Sequence, residues 1–366
     1  MAGFFYGLCS FLLAAFFVTA EAYEKIPEDA KTSDKNDISA AVIKRQAPPA
    51  ESRLGKNTVL NISGNGAEET KAVLVDKSLK RMYIAVLKGD NMEVVKEYSV
   101  LTGRMEGDKQ LRGDEKTPEG VYYVLSYSSG DQLVKRYGSY ALIYGAGSFP
   151  LNYPNIVDKI RKKTGGGIWL HGTKPDLDKT YTQGCVAMNN ADFTDMANWT
   201  EITTPVIISE KLAYASNAAE FEKNRRELLN IFETFIKSWR ENDAGTFTDS
   251  IHTDFKTPSG INKKKYVKGK TELMKIYPNR EIDNYNTKIF MKDVNYTVFD
   301  TNQFYCASNL VSYSNKRYYF TEESGKLKLM SEEVRALPLS LNPMIVNDIS
   351  RFLNEWIDAW KSQNID

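Results

Sequence analysis

A thiol and an imidazole are the groups in this 366-residue chain best suited to covalent chemistry, and both are scarce, with two histidines and three cysteines in all. Cys9 lies in an apolar run at the start, and His252 and Cys306 lie in a later, differently patterned region. The stretch 165–188 therefore holds one residue of each kind, His171 and Cys185. Cysteine attacks a carbonyl as thiolate, and a nearby imidazole both lowers its pKa and can return the proton to a leaving group. The apolar Ile168-Trp169-Leu170 reads as a buried strand ending at His171-Gly172. Gly184 permits a tight turn that would present the Cys185 thiol and aim the backbone N–H groups of Gly184 and Cys185 at a developing oxyanion. On composition and spacing alone, a buried cysteine and a separately satisfied histidine are an equal alternative.

The motif around the pair carries more. His171-Gly172, followed after a polar loop by Thr-x-Gly-Cys-Val-x-Met at 182–188, resembles the catalytic signature of the L,D-transpeptidases, the YkuD-type domain. Upstream, 113–124 is similar to the TPxG segment of that family, and 204–209 resembles its closing strand, so the resemblance spans about 71–211 in the right order. It implies a mainly β catalytic domain, sandwich-like, in which Cys185 attacks the carbonyl of the third residue of a peptidoglycan stem peptide and expels the terminal D-amino acid. His171 would take the thiol proton and give it to the leaving amine. An amine from a second stem would resolve the thioester as a transpeptidase does; water would resolve it as an L,D-carboxypeptidase does.

Two positions depart from the pattern. Thr182 stands where serine is usual and keeps a hydroxyl. Ala187 stands where arginine is usual, which removes a guanidinium from beside the nucleophile. Arg136, Arg161, Lys162, Lys163 and Lys174 are candidates for replacement charge, and each also reads as a surface cation. Transfer is placed first because the core motif belongs to that larger group. Trimming of tetrapeptide to tripeptide is the alternative, because a catalytic domain of this type followed by a cone resembles cell-shape-determining carboxypeptidases of helical bacteria. A catalytically inactive wall-binding scaffold is the reading from another class.

The expected substrate-binding set is Gly172, Thr182, Gln183, Tyr144 and Tyr153, the two tyrosines lying in an aromatic, glycine-interrupted segment at 137–154 that reads as a loop or lid. Asp176 and Asp178 read as loop residues. With one histidine in the domain there is no metal-ligand spacing, and neither metal nor cofactor is expected.

The elements that must position these residues follow from the rest of the chain. Runs rich in Val, Ile and Tyr from residue 71 onward, separated by Gly, Asp and Asn, argue for an antiparallel meander. Residues 218–242 place Phe221, Leu228, Phe232, Phe235 and Trp239 at helical spacing. Strand-like runs at 287–300, 302–314, 317–324 and 327–334 come after it, an α+β order. This second region resembles the nuclear-transport-factor-like cone domain, which implies a mouth for a peptide or glycan and a route to a homodimer. The helix at the end repeats the first one, Trp356-Ile357-Asp358-Ala359-Trp360 matching Phe235-Ile236-Lys237-Ser238-Trp239. The expected organisation is a signal peptide at 1–22, a flexible linker at 23–69, the catalytic domain at 70–212, the cone at 216–337, and a helix at 344–366 that either caps the cone or starts a second copy. Residues 2–18 followed by Ala20-Glu21-Ala22 imply export to the periplasm or cell-wall space, with an uncleaved membrane anchor as the alternative. A net charge of +1 without a basic block excludes nucleic acid as a natural partner.

Overall fold

A computed structural model describes residues 56–174, 180–338 and 343–362. The expected leader with Cys9, the linker as far as residue 55, Asp176, Asp178 and the last four residues lie outside the described residues. In chain order the first part contains β1 (Ile62–Gly64), β2 (Gly66–Asp76), β3 (Arg81–Gly89), β4 (Asn91–Ser99), β5 (Gly120–Tyr123) and β6 (Ser128–Ser129). Helix α1 (Gly130–Tyr137), a 3-10 helix at Ser139–Tyr144, β7 (Gly147–Pro150), α2 (Ile156–Ile160), β8 (Trp169–His171), β9 (Val186–Ala187), α3 (Asn190–Ala197) and β10 (Pro205–Ser209) complete it. The second part contains α4 (Ala218–Arg240), α5 (Ala244–Asp249), α6 (Lys263–Ile276), β11 (Arg280–Asp293), β12 (Tyr296–Ala307), β13 (Leu310–Glu323), β14 (Lys326–Ala336) and α7 (Pro343–Ser362). Among the described residues no helix is long and apolar enough to cross a membrane.

The strands form three sheets, ordered β4-β3-β2-β10-β5, β6-β7-β8-β9 and β1-β11-β12-β13-β14. The first is central, and its sequence shows why. Strands β2 and β10 read KAVLVD and PVIIS, continuous apolar runs rather than alternating ones, which is the signature of a sheet covered on both faces. The alternation of side chains then divides each run. Val73, Val75, Val206 and Ile208 pack with Leu170, Val186, Phe149 and Phe193 of the small sheet and α3. Ala72, Leu74 and Ile207 point the other way and pack with Phe290, Val298, Tyr319 and Met330 of the C-terminal sheet. A third core lies beyond that sheet, where Leu228, Phe232, Phe235 and Trp239 of α4 cover Phe299, Tyr318 and Phe320, with the rings of Phe232 and Phe299 stacked 4.7 Å apart. The mainly β first part and the α+β second part are both present.

Three boundaries differ from the sequence reading. Residues 56–69 are not linker: β1 pairs antiparallel with β11, Ile62 opposite Phe290, and Val59, Asn61 and Ile62 are fully buried. Their polar composition conceals two apolar anchors and an asparagine whose side-chain amide donates to Met291 carbonyl at 2.7 Å. Second, the runs at 287–300 and 302–314 each span a hairpin, because β11 turns into β12 at Val294-Asn295 and β12 into β13 at Ser308-Asn309, without the glycine that usually marks such turns. Third, α6 occupies a lysine-rich stretch that carries little helical periodicity, since only Tyr266 and Met274 of it are buried.

Candidate active site

The register of the small sheet brings His171 and Cys185 to neighbouring strands. Strands β8 and β9 run parallel, with Leu170 opposite Val186 and His171 opposite Ala187. Leu170 and Val186 point into the core, so Trp169 and His171 on one strand, and Cys185 and Ala187 at the other, share the opposite face. Cys185 is thus one diagonal step from His171. The strand ends are fixed from outside: Ala187 exchanges both backbone hydrogen bonds with Leu101 (2.7 and 3.0 Å), and Met188 N–H donates to the His171 carbonyl at 3.0 Å.

His171 is 8% exposed, and its Nδ1 lies 2.5 Å from the carbonyl oxygen of Gly172. A carbonyl can only accept, so in the neutral ring Nδ1 carries the proton and Nε2 carries the lone pair of a base. Gly172 has to be glycine on steric grounds: a Cβ there would lie 2.4 Å from Asn190 Oδ1 and 2.9 Å from the Ala146 nitrogen. Asn190 Oδ1 accepts from that Ala146 N–H at 2.8 Å, which ties α3 to the segment leading into β7.

The turn before Cys185 is held by Thr182. Its Oγ1 accepts from Gly184 N–H at 3.0 Å and donates to the Cys185 carbonyl at 2.7 Å, while its backbone pairs with Thr102 and Arg104. The Thr182 hydroxyl is therefore spent on the turn rather than offered to a ligand, and the Gly184 N–H, expected at the oxyanion, is engaged in this structure. Gly184 sits at φ +129 with Lys116 carbonyl 2.8 Å from where a Cβ would be, so both its backbone angle and its surroundings demand glycine. Gln183 is exposed beside it.

The thiol itself is half-buried. Cys185 Sγ donates to the Gly167 carbonyl at 3.4 Å. Burial pushes the thiol up to about 11, opposed by a hydrogen bond from the Trp169 backbone and by the charge of Lys109. The cover comes from the 3-10 helix. Tyr144 packs against Trp169 (4.7 Å between ring centroids) and stands edge-on to the His171 ring (5.1 Å, 89°). Burial and then the neighbouring Cys185 raise the hydroxyl pKa of both Tyr140 and Tyr144. Tyr144 is thus at the site, as is Tyr140. Tyr153 is elsewhere: it is fully buried, stands edge-on to Tyr122, and donates to the Thr164 carbonyl at 3.2 Å, so it has no face for a ligand.

None of the five cations considered as replacements for the missing arginine takes that place. Lys163 is buried on Asp108 (2.7 Å) and Asp158 (2.9 Å), and Arg136, Arg161, Lys162 and Lys174 are exposed. Among the described residues, the cation whose charge lowers the thiol pKa is Lys109, which the sequence reading missed. Ala187 is 1% exposed and packed in its strand. His252 and Cys306 are outside the site, His252 Nδ1 accepting from Asp254 N–H at 3.0 Å and Cys306 packing with Phe304 and Phe352. No group of three or more potential metal ligands occurs among the described residues.

Residues 70–208 match the family model described as YkuD, L,D-transpeptidase catalytic domain. No curated protein matches the chain. Among solved structures the chain is similar to Bd1075 of Bdellovibrio bacteriovorus, with 27% identity and a TM-score of 0.67 over 78% of this chain and 99% of that one. It also shares its fold with the helical cell shape determining protein Pgp2 of Campylobacter jejuni, at 24% identity and a TM-score of 0.60 over 75% of this chain and 95% of that one.

Proposed function

We propose, taking residues 70–208 as an L,D-transpeptidase-type catalytic domain, that the protein is an exported bacterial cell-wall enzyme that opens peptidoglycan stem peptides through a thioester at Cys185. One observation carries the reading: His171 and Cys185 share a face of adjacent strands, and the Gly172 carbonyl commits Nδ1 so that Nε2 is the base. His171 takes the thiol proton as sulfur bonds to the carbonyl carbon of the third stem residue. Collapse of the adduct breaks the amide bond to the terminal D-amino acid, whose nitrogen leaves with that proton. The Cys185 N–H is the backbone donor for the oxyanion in this scheme, and the Gly184 N–H joins it only by leaving Thr182 Oγ1. No metal or cofactor takes part in these steps.

The acceptor that completes the reaction is the finer question. Transfer to the amine of a second stem requires room for a bulky nucleophile beside the thioester. The packing of Tyr144 over Trp169 and His171, with Tyr140 beside it, favours water, and hence trimming of tetrapeptide to tripeptide. Trimming also suits a role in cell shape, the property by which Pgp2 is described. The test is mass spectrometry of purified muropeptides after incubation with the protein, with Cys185→Ala as control. Tripeptide without dimers supports hydrolysis, and cross-linked dimers return the assignment to transfer. No product beyond the control, with wall binding retained, overturns both and leaves a scaffold.

A further inference from the structure

The loop between Gly103 and Thr117 contains a charge pair that the catalytic scheme does not use. Lys109 is 3% exposed, and its Nζ donates to Asp114 at 2.6 Å and to the Leu111 carbonyl at 3.1 Å. Asp114 in turn accepts from the backbone N–H groups of Gln110 (2.8 Å), Leu111 (2.9 Å) and Lys116 (3.2 Å), so the loop is wound around this one carboxylate. Burial opposes its charge, yet the Lys109 bond and these three N–H donors hold Asp114 down at about 2. The Asp114 carboxyl is therefore ionised at neutral pH.

Its position relative to the nucleophile is set by two contacts. Lys109 Cε lies 3.2 Å from where a Cβ on Gly165 would be, against the glycine strap at 165–167 whose Gly167 carbonyl accepts from the Cys185 thiol. The Lys116 carbonyl, at the other end of the same loop, lies against Gly184. The loop thus packs on both segments that hold the thiol, the strap that accepts its hydrogen bond and the glycine that precedes it. A cation held there has no solvent to screen it.

We propose that Lys109, held by Asp114, is a positioning residue that supplies fixed positive charge to the Cys185 thiolate, in the chain's stead for the arginine absent at 187. The proposal rests on the reading of Cys185 as the nucleophile. Among the described residues, the titratable groups besides Lys109 that lie about the thiol are His171 from β8 and Tyr140 and Tyr144 from the 3-10 helix. The tyrosines are neutral at neutral pH and the field they add is small until they ionise. Lys109 is therefore the buried cation on this side of the thiol.

The experiment is site-resolved alkylation of Cys185 by iodoacetamide in the full chain, followed by peptide mass spectrometry at fixed pH 8.5, with thermal melts alongside. Lys109→Met is expected to slow alkylation about tenfold, the effect of raising the thiol pKa by about one unit, and Lys109→Arg to restore it to within about twofold. Asp114→Asn removes the neutralising partner and is expected to speed alkylation. Opposite signs for the two variants are what a charge effect requires, whereas a purely structural loop role moves both the same way. Unchanged alkylation in a folded Lys109→Met protein, or slowing in both variants, overturns the proposal. Because alkylation needs no peptide substrate, absence of muropeptide products with these opposite signs intact would count against the enzymatic reading and leave this one standing.

Discussion

At the scale of single residues, the site is a set of groups each committed before substrate arrives. Thr182 shows the consequence: Thr182→Val loses the acceptor for Gly184 N–H and the donor to Cys185 carbonyl, and is expected to lower stability by about 1–2 kcal/mol and turnover by more than tenfold. Thr182→Ser should restore both, as read by denaturant unfolding and muropeptide turnover. The buried thiol makes a second expectation. With its pKa near 11, the resting protein holds roughly one thiolate in ten thousand at pH 7. Alkylation of Cys185 should then rise about tenfold per pH unit between pH 7 and 10, and a plateau below pH 9 would contradict the burial argument. Slow alkylation at neutral pH is accordingly no mark of a dead site. Cys185 and His171 were legible in the sequence as candidates because their residue types are rare and their motif is specific. Lys109 was not, because a lysine in a polar loop looks solvated until the fold shows Asp114 and the glycine strap around it. Tyr153 failed the other way, since an aromatic beside a proline reads equally as ligand platform or core.

At the scale of elements, the informative unit is the 3-10 helix at Ser139–Tyr144, which packs Tyr144 on Trp169 and His171 and carries Tyr140 beside it. Replacing both tyrosines by alanine should relieve the burial of the thiol and speed its alkylation at least tenfold. If occlusion is what keeps amine acceptors out, the same variant should begin to yield cross-linked dimers from muropeptides supplied with an acceptor stem. An unaltered product spectrum in an active variant would remove the lid from the account of acceptor choice. The meander of β2, β3 and β4 and the helix α4 were legible because their periodicity is strong. Helix α6 and the β11–β12 turn were not, since lysine-rich Lys263–Ile276 buries only two side chains and Val294-Asn295 lacks a turn-forming glycine. The second part's helix-over-sheet order was readable, but nothing local in sequence reveals that its sheet also covers the back of the catalytic one.

At the scale of the whole described fold, the two parts share one core. Arg317 stacks 3.3 Å from the centroid of the Tyr123 ring and pairs with Asp300 at 3.0 Å, while the Tyr123 hydroxyl donates to the same carboxylate at 3.1 Å. Arg317→Ala would strand a buried carboxylate and is expected to cost about 3 kcal/mol, with the wild-type and variant proteins each melting in a single transition. Two separated transitions would show that the parts unfold independently. The strand β1 gives this union a further meaning. Three residues that precede the catalytic strands complete the edge of the C-terminal sheet, so the chain visits the second part, leaves to build the first, and returns. A gene fusion joined at the apparent seam near residue 214 would carry the C-terminal sheet away with the rim of β11 stripped bare, a template for sticking to its own kind. Recombination can therefore exchange these parts between proteins only if the short leading segment travels with the distant sheet. The boundary between the parts along the chain is therefore not the boundary between them in space.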